Sequence, residues 1–142
     1  MASKAVFLDS NGWIGLLNTR ESLHGEAAER GREMSRTATP VVLTEWIVAE
    51  TGNGLARTRA RSRLAEIVQA MRRDPRFRIV PISTELAERA LLMYSGCADK
   101  TWGLVDCASF VLMNDQGLTD AFTTDRHFEQ AGFNCLLPAN VG

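Results

Sequence analysis

Residues 5–17 read AVFLDSNGWIGLL, and the fold is decided there. Residues 5–8 are apolar without alternation, the pattern of a strand buried on both faces of a parallel sheet. The run stops at Asp9, and residues 12–17 then read as a short helix. A buried strand that passes through a carboxylate into a helix opens an α/β unit.

The same alternation continues outward along the chain. Further strand-like runs occupy residues 41–43, 79–82, 121–123 and 134–137, and the intervals between them carry helical periodicity. Residues 21–35 read as a helix with an acidic start. Thr44 is placed to cap a helix from Glu45 to about Thr51, which Gly52 and Gly54 are expected to end. Residues 57–73 read as one helix, because Leu64, Ile67, Val68 and Met71 fall at i, i+3, i+4 and i+7. Ser83 or Thr84 can cap a helix running to Gly96; residues 104–112 form another apolar helical face, and residues 126–130 a last short helix. The expected fold is α/β: a mostly parallel sheet of four to five strands flanked by helices, with residues 1–142 as a single domain.

Composition agrees. A chain of 142 residues with 45% hydrophobic and 23% charged residues lies in the ordinary globular range, which argues against disorder and fibrous repeats. Three cysteines without CxxC spacing suggest neither a disulfide framework nor a zinc knuckle, and point to a reducing compartment. No run approaches the roughly 18 apolar residues of a membrane span, and no signal-peptide core precedes the first strand. The expected location is the cytoplasm, away from membranes. The net charge of -1 does not announce a nucleic-acid partner, yet residues 51–80 carry eight arginines against two acids. A neutral total conceals a basic middle.

In an open parallel sheet, sites form at the carboxyl ends of strands. Asp9 ends the first strand, and Asp125 follows the strand expected at residues 121–123. Glu50 and Asp106 sit in apolar helical runs, where an acid needs a partner or a metal. Two carboxylates about 4 Å apart repel by roughly 4 kcal/mol at an effective dielectric near 20, so four together require protons or cations. A set of Asp and Glu without a His or Cys ligand beside it suits the hard ions Mg²⁺ or Mn²⁺. Such an ion can bind phosphate oxygens and activate water, which points to phosphoester chemistry. The competing reading makes each acid a cap, a surface charge or half of a salt bridge.

Arg57, Arg59, Arg61 and Arg63 alternate, and on a helix they spread around half of the circumference, either as a solvated face or as a track for an RNA backbone. Arg126 is a phosphate contact or a salt-bridge partner. His127, two residues past Asp125, either touches the site or a phosphate or serves as a structural or capping residue; His24 reads as structural, Trp13, Trp46 and Trp102 as packing or base-stacking residues, and Cys107 as a small buried side chain. Glu45, five residues before Glu50, lies about 140° around the helix from it, so the two cannot face the same way.

The segments VFLDSNGWIGLL (residues 6–17), VVLTEWIVAET (residues 41–51), WGLVDCASFVLM (residues 102–113) and AFTTDRHFEQAGF (residues 121–133) together resemble the PIN-domain ribonucleases, in particular the VapC-type toxins of toxin-antitoxin pairs. The resemblance runs in order from residue 6 to about residue 137. It implies that Asp9, Glu50, Asp106 and Asp125 are the acidic metal-binding and catalytic quartet, and that Asn11 and Thr123 are supporting polar residues. It further implies cleavage of RNA by a metal-activated water, leaving a 5′-phosphate and a 3′-hydroxyl. The partners implied are an RNA substrate, a second copy in a homodimer, and a VapB-like antitoxin that blocks the acidic site with an arginine. Two alternatives remain beside this reading: a phosphatase-type phosphoryl-transfer enzyme, and a non-catalytic PIN-like scaffold that binds RNA or protein. Asn11 standing where a second Asp would serve a phosphatase, and the intact quartet, argue against them.

Overall fold

The computed structural model describes residues 4–139. Five strands, β1 (Val6–Leu8), β2 (Val41–Thr44), β3 (Phe77–Val80), β4 (Asp120–Phe122) and β5 (Asn134–Cys135), form one sheet in the order β3-β2-β1-β4-β5. Every pairing is parallel, including Phe7 with Val42 and Leu8 with Phe122. The chain builds outward from β1 to β3, then returns to β1's other side, so the strand order reverses between β1 and β4. Ligands in such sheets bind at that reversal, beyond the carboxyl ends of the strands.

Helices fill each crossover. α1 (Ser10–Leu17) and α2 (His24–Arg36) join β1 to β2, while α3 (Glu45–Leu55), a 3-10 segment (Arg59–Arg63) and α4 (Leu64–Arg73) join β2 to β3. α5 (Thr84–Gly96) and α6 (Leu104–Gln116) lead to β4, and α7 (His127–Gln130) leads to β5. Thr44 caps α3 by accepting from Ile47 N at 3.2 Å, and Ser83 caps α5 by accepting from Leu86 N at 3.1 Å. Phe7, Leu43, Ile47, Phe110, Met113, Phe122 and Phe128 form the centre of the core. Among the described residues no helix is long and apolar enough to cross a membrane.

The structure corrects several expected boundaries. Gly52 and Gly54 do not end α3; they lie inside it. Gly54 is a close-approach position, since a Cβ there would stand 2.4 Å from Ile14 Cδ1 of α1. Gly12 has the same role against the sheet, with a Cβ position only 2.2 Å from the Phe122 carbonyl oxygen. The helix expected over residues 57–73 divides into the 3-10 segment and α4, because the apolar stripe that holds an α-helix to the core begins only at Leu64. The edge strand β3 starts at Phe77, two residues earlier than expected, with Arg78 exposed and paired in register with Val42. Charged residues are tolerated there because an edge strand faces water on one side.

Candidate functional site

Asp9 stands at the carboxyl end of β1, where it precedes α1, and it is 3% exposed. Thr123, just beyond β4, donates its hydroxyl towards Asp9 Oδ2 at 2.7 Å and Asn11 Oδ1 at 2.8 Å, and accepts from Asp125 N at 3.0 Å. Asn11 also accepts from Thr124 N at 3.2 Å and donates to Thr124 Oγ1 at 2.7 Å. These bonds tie the ends of β1 and β4 together and fix the first and last aspartates relative to each other. Asn11 and Thr123 are the side chains that make this bridge.

Glu50 reaches the same edge from α3 and accepts from the Ser10 hydroxyl at the start of α1. Asp106 sits in the first turn of α6, where its Oδ2 accepts from Gly103 N at 3.1 Å. Asp125 Oδ1 accepts from His127 N at 2.9 Å. Asp106, Asp125 and His127 each offer a ligand atom within 4.8 Å of the others. Asp9 lies near enough to feel the charges of both Asp106 and Glu50. The four acids thus converge at the strand-order reversal, although only Asp106 and Asp125 share that tight group.

His127 touches the acidic site, one of the two roles open to it from sequence, and this changes the expected donor set of Asp and Glu alone. Its Nδ1 lies 3.3 Å from Asp106 Oδ2 and 3.4 Å from Asp125 Oδ1, and its Nε2 meets Thr101 Oγ1 at 3.0 Å. The acidic set therefore has an imidazole beside it, and its donor chemistry is mixed oxygen and nitrogen. The available signal was the i+2 spacing from Asp125, which also fits a capping residue.

The electrostatics agree with a crowded anionic site. Burial pushes the Asp9 carboxyl up to about 7; the charges of Asp106 and Glu50 add to the rise, and hydrogen bonds from Thr123 and Ser10 N oppose it. Burial also raises Asp106, with the Asp125 charge adding, while hydrogen bonds from Gly103 N and His127 work against the rise. Among the described residues no lysine or arginine forms an ion pair with any of the four acids. A site short of cationic partners, with a carboxyl held near neutrality, is suited to a divalent cation.

Glu45 and other acids have partners away from this group. Glu45 Oε1 accepts from Ile82 N at 2.9 Å, Asp99 pairs with Lys100, and Asp115 is held by the Arg89 guanidinium. Burial raises the Cys107 thiol, as fits an inert core residue. His24 Nδ1 meets Gly15 O at 2.8 Å, away from the acids. Arg126 is committed to Glu129 at 2.7 Å and to Leu137 O at 3.2 Å, and Arg61 to Ala56 O at 3.1 Å. Trp13 is buried in the core, and Trp102 packs edge-on to Phe110 while donating to Gln130. Trp46 lines a concavity of about 300 Å³ beside Glu50, with Asn53 and Leu104.

A parallel sheet in this order, with acids gathered where it reverses, defines a class, and the PIN domain family model matches residues 6–134: the chain belongs to the PIN domain family. It is 29% identical, over 94% of its length and 98% of the relative's, to VapC20 of two Mycobacterium tuberculosis strains, a protein named as a 23S rRNA-specific endonuclease. The crystal structure of Mycobacterium tuberculosis VapC20, described as a sarcin-ricin loop cleaving toxin, superposes with a TM-score of 0.79 at 26% identity, covering 94% of this chain and 99% of that one. A second structure, VapBC2 from Rickettsia felis bound to a promoter DNA fragment, shares the fold with a TM-score of 0.63 at 11% identity, covering 92% and 96%.

Proposed function

We propose that the chain is a metal-dependent endoribonuclease of the VapC toxin type, acting on RNA with Mg²⁺ or Mn²⁺. The observation that carries this reading is the meeting of Asp9, Glu50, Asp106 and Asp125 at one sheet edge without a lysine or arginine partner, in a chain similar to an endonuclease over nearly its whole length. The four acids are the catalytic and metal-holding set in this reading, and His127 is an added nitrogen donor. When bound, the ion neutralises phosphate charge and makes water a nucleophile near neutral pH.

The chain's own residues do the positioning. Thr123 and Asn11 lock the β1 and β4 ends, so that Asp9 and Asp125 hold a fixed separation. Gly103 N and His127 orient the Asp106 carboxylate, and Ser10 orients Glu50. Trp46 and Leu104 give a base an apolar wall beside Glu50.

The partners proposed are RNA, a second copy of the chain, and a VapB-like antitoxin that covers the acidic edge; the proposed location is the cytoplasm, and residues 1–142 act as one domain. Exposed Leu91, Leu92 and Tyr94 on α5, 49%, 74% and 51% accessible, supply the apolar surface for self-association. Incubation of purified protein with end-labelled RNA tests the activity. Fragments that appear with Mg²⁺ or Mn²⁺ and vanish with EDTA support it, and cleavage indifferent to EDTA overturns it.

A further inference from the structure

Away from the acidic edge, α1 and α3 end beside a concavity of about 400 Å³ lined by Leu17, Asn18, Arg20, Arg57, Arg59 and Arg63, among others. The two helices run side by side in the same direction: Ser10 meets Glu50 at one end, and Ile14 meets Gly54 one turn later. The concavity follows at their far ends, about 10 Å from Ser10 at 1.5 Å of rise per residue. Two of the helices that reach the acidic edge thus lead to one basic pocket.

Its four arginines lack protein counter-charges. Among the described residues none of Arg20, Arg57, Arg59 and Arg63 forms an ion pair, although five other ion pairs join Lys or Arg to an acid. Part of the repulsion is offset by the negative ends of α1 and α3. At the α3 end, Ala56 O is already taken by Arg61, which does not line the pocket. Buried Ala60 anchors the 3-10 segment, so Arg59 and Arg63 are presented from a fixed backbone. Arginine's planar fork matches phosphate oxygens in pairs.

We infer that this pocket binds the phosphates of the RNA strand whose scissile bond lies at the acidic edge, as a docking site separate from the chemistry. The inference rests on the acidic cluster being an RNA-cleaving site, and it answers a difficulty that site creates. A group of carboxylates repels a polyanion, so the attraction that holds RNA must come from elsewhere. Arg20, brought in from the loop after α1, replaces Arg61 in the basic group expected from sequence.

The test is binding of a fluorescein-labelled single-stranded RNA in EDTA, followed by anisotropy across about 50 to about 200 mM KCl. The Arg20→Gln, Arg57→Gln, Arg63→Gln triple variant is compared with wild type and with Arg61→Gln. All four positions are exposed, so circular dichroism should show unchanged folding. Each phosphate contact on a single strand contributes about 0.7 to the salt slope, so the triple variant should lose about 2 from it and bind roughly tenfold or more weakly at low salt. Arg61→Gln should leave the slope within about 0.3 of wild type. Equal slopes for wild type and triple variant overturn the inference, as does an equal loss in Arg61→Gln. Unchanged RNA binding with lost binding of a polyglutamate peptide would overturn it too, by assigning the pocket to an acidic protein. Because no cleavage is required, a wild type that fails to cut RNA would defeat the proposed activity and still leave this assay decisive for the pocket.

Discussion

Replacing Asp9 with Asn should stabilise the metal-free protein while removing its activity. The Asp9 carboxyl is held near 7 in the folded chain against an ordinary value of 3.8, chiefly by burial. Below about pH 4 it is protonated in both folded and unfolded chains and costs nothing. As pH rises the unfolded chain loses the proton first, so stability falls between about pH 4 and 7, and the penalty is complete above 7. At 1.36 kcal/mol per pH unit the full penalty is about 4 kcal/mol. An amide is neutral throughout and can still accept from Thr123 through its oxygen. In EDTA at pH 8, Asp9→Asn should therefore melt roughly 10 °C above wild type, for a chain where 1 kcal/mol moves the midpoint by about 2–4 °C. The gap should close by about pH 4. Saturating Mg²⁺ should reverse the order by stabilising wild type, by about 2.7 kcal/mol at a hundredfold excess over Kd, and leave the variant unmoved. Differential scanning fluorimetry over pH, with and without Mg²⁺, measures all of this. Coincident melting at pH 8 in EDTA, or a gap that persists unchanged at pH 4, would refute the argument.

Three further outcomes are expected. Gly12→Ala forces a methyl group against the Phe122 carbonyl and should lower stability by about 3 kcal/mol in urea unfolding, whereas Gly25→Ala, where nothing lies within 4 Å, should not. His127→Ala should weaken Mn²⁺ binding about tenfold by calorimetry; an unchanged Kd would remove His127 from the donor set. Leu92→Glu places a charge on the exposed face of α5 and should shift a dimer to monomer in light scattering without altering the melting temperature, and a persistent dimer would place the interface elsewhere.

Much of the site could be read from the sequence because strand-to-helix transitions are written locally. Asp9 and Asp125 follow short apolar runs, and Glu50 and Asp106 stand out as acids among apolar neighbours, so chemistry and position agree within a few residues of each. The parallel sheet followed from the same alternation. What escaped depends on contacts between distant segments. Gly54 looked like a helix stop because a glycine carries the same letter whether it ends a helix or admits Ile14. His127 joins the acids only because Asp106 arrives from α6. Arg20 and Arg57 are far apart in sequence and meet only because α1 and α3 run in parallel. The division of residues 57–73 was foreshadowed by the late start of the apolar stripe at Leu64.

In the function proposed above, the converging acids hold the ion that drives RNA cleavage, and Asp106 links the tight Asp125 and His127 group to Asp9. The most direct measurement is the rate of RNA cleavage by wild type and Asp106→Asn at matched concentration in Mg²⁺, with folding checked by circular dichroism. Wild-type cleavage that EDTA abolishes, together with a folded variant slowed at least roughly a hundredfold, is the expected result. Cleavage by Asp106→Asn at the wild-type rate would contradict the account.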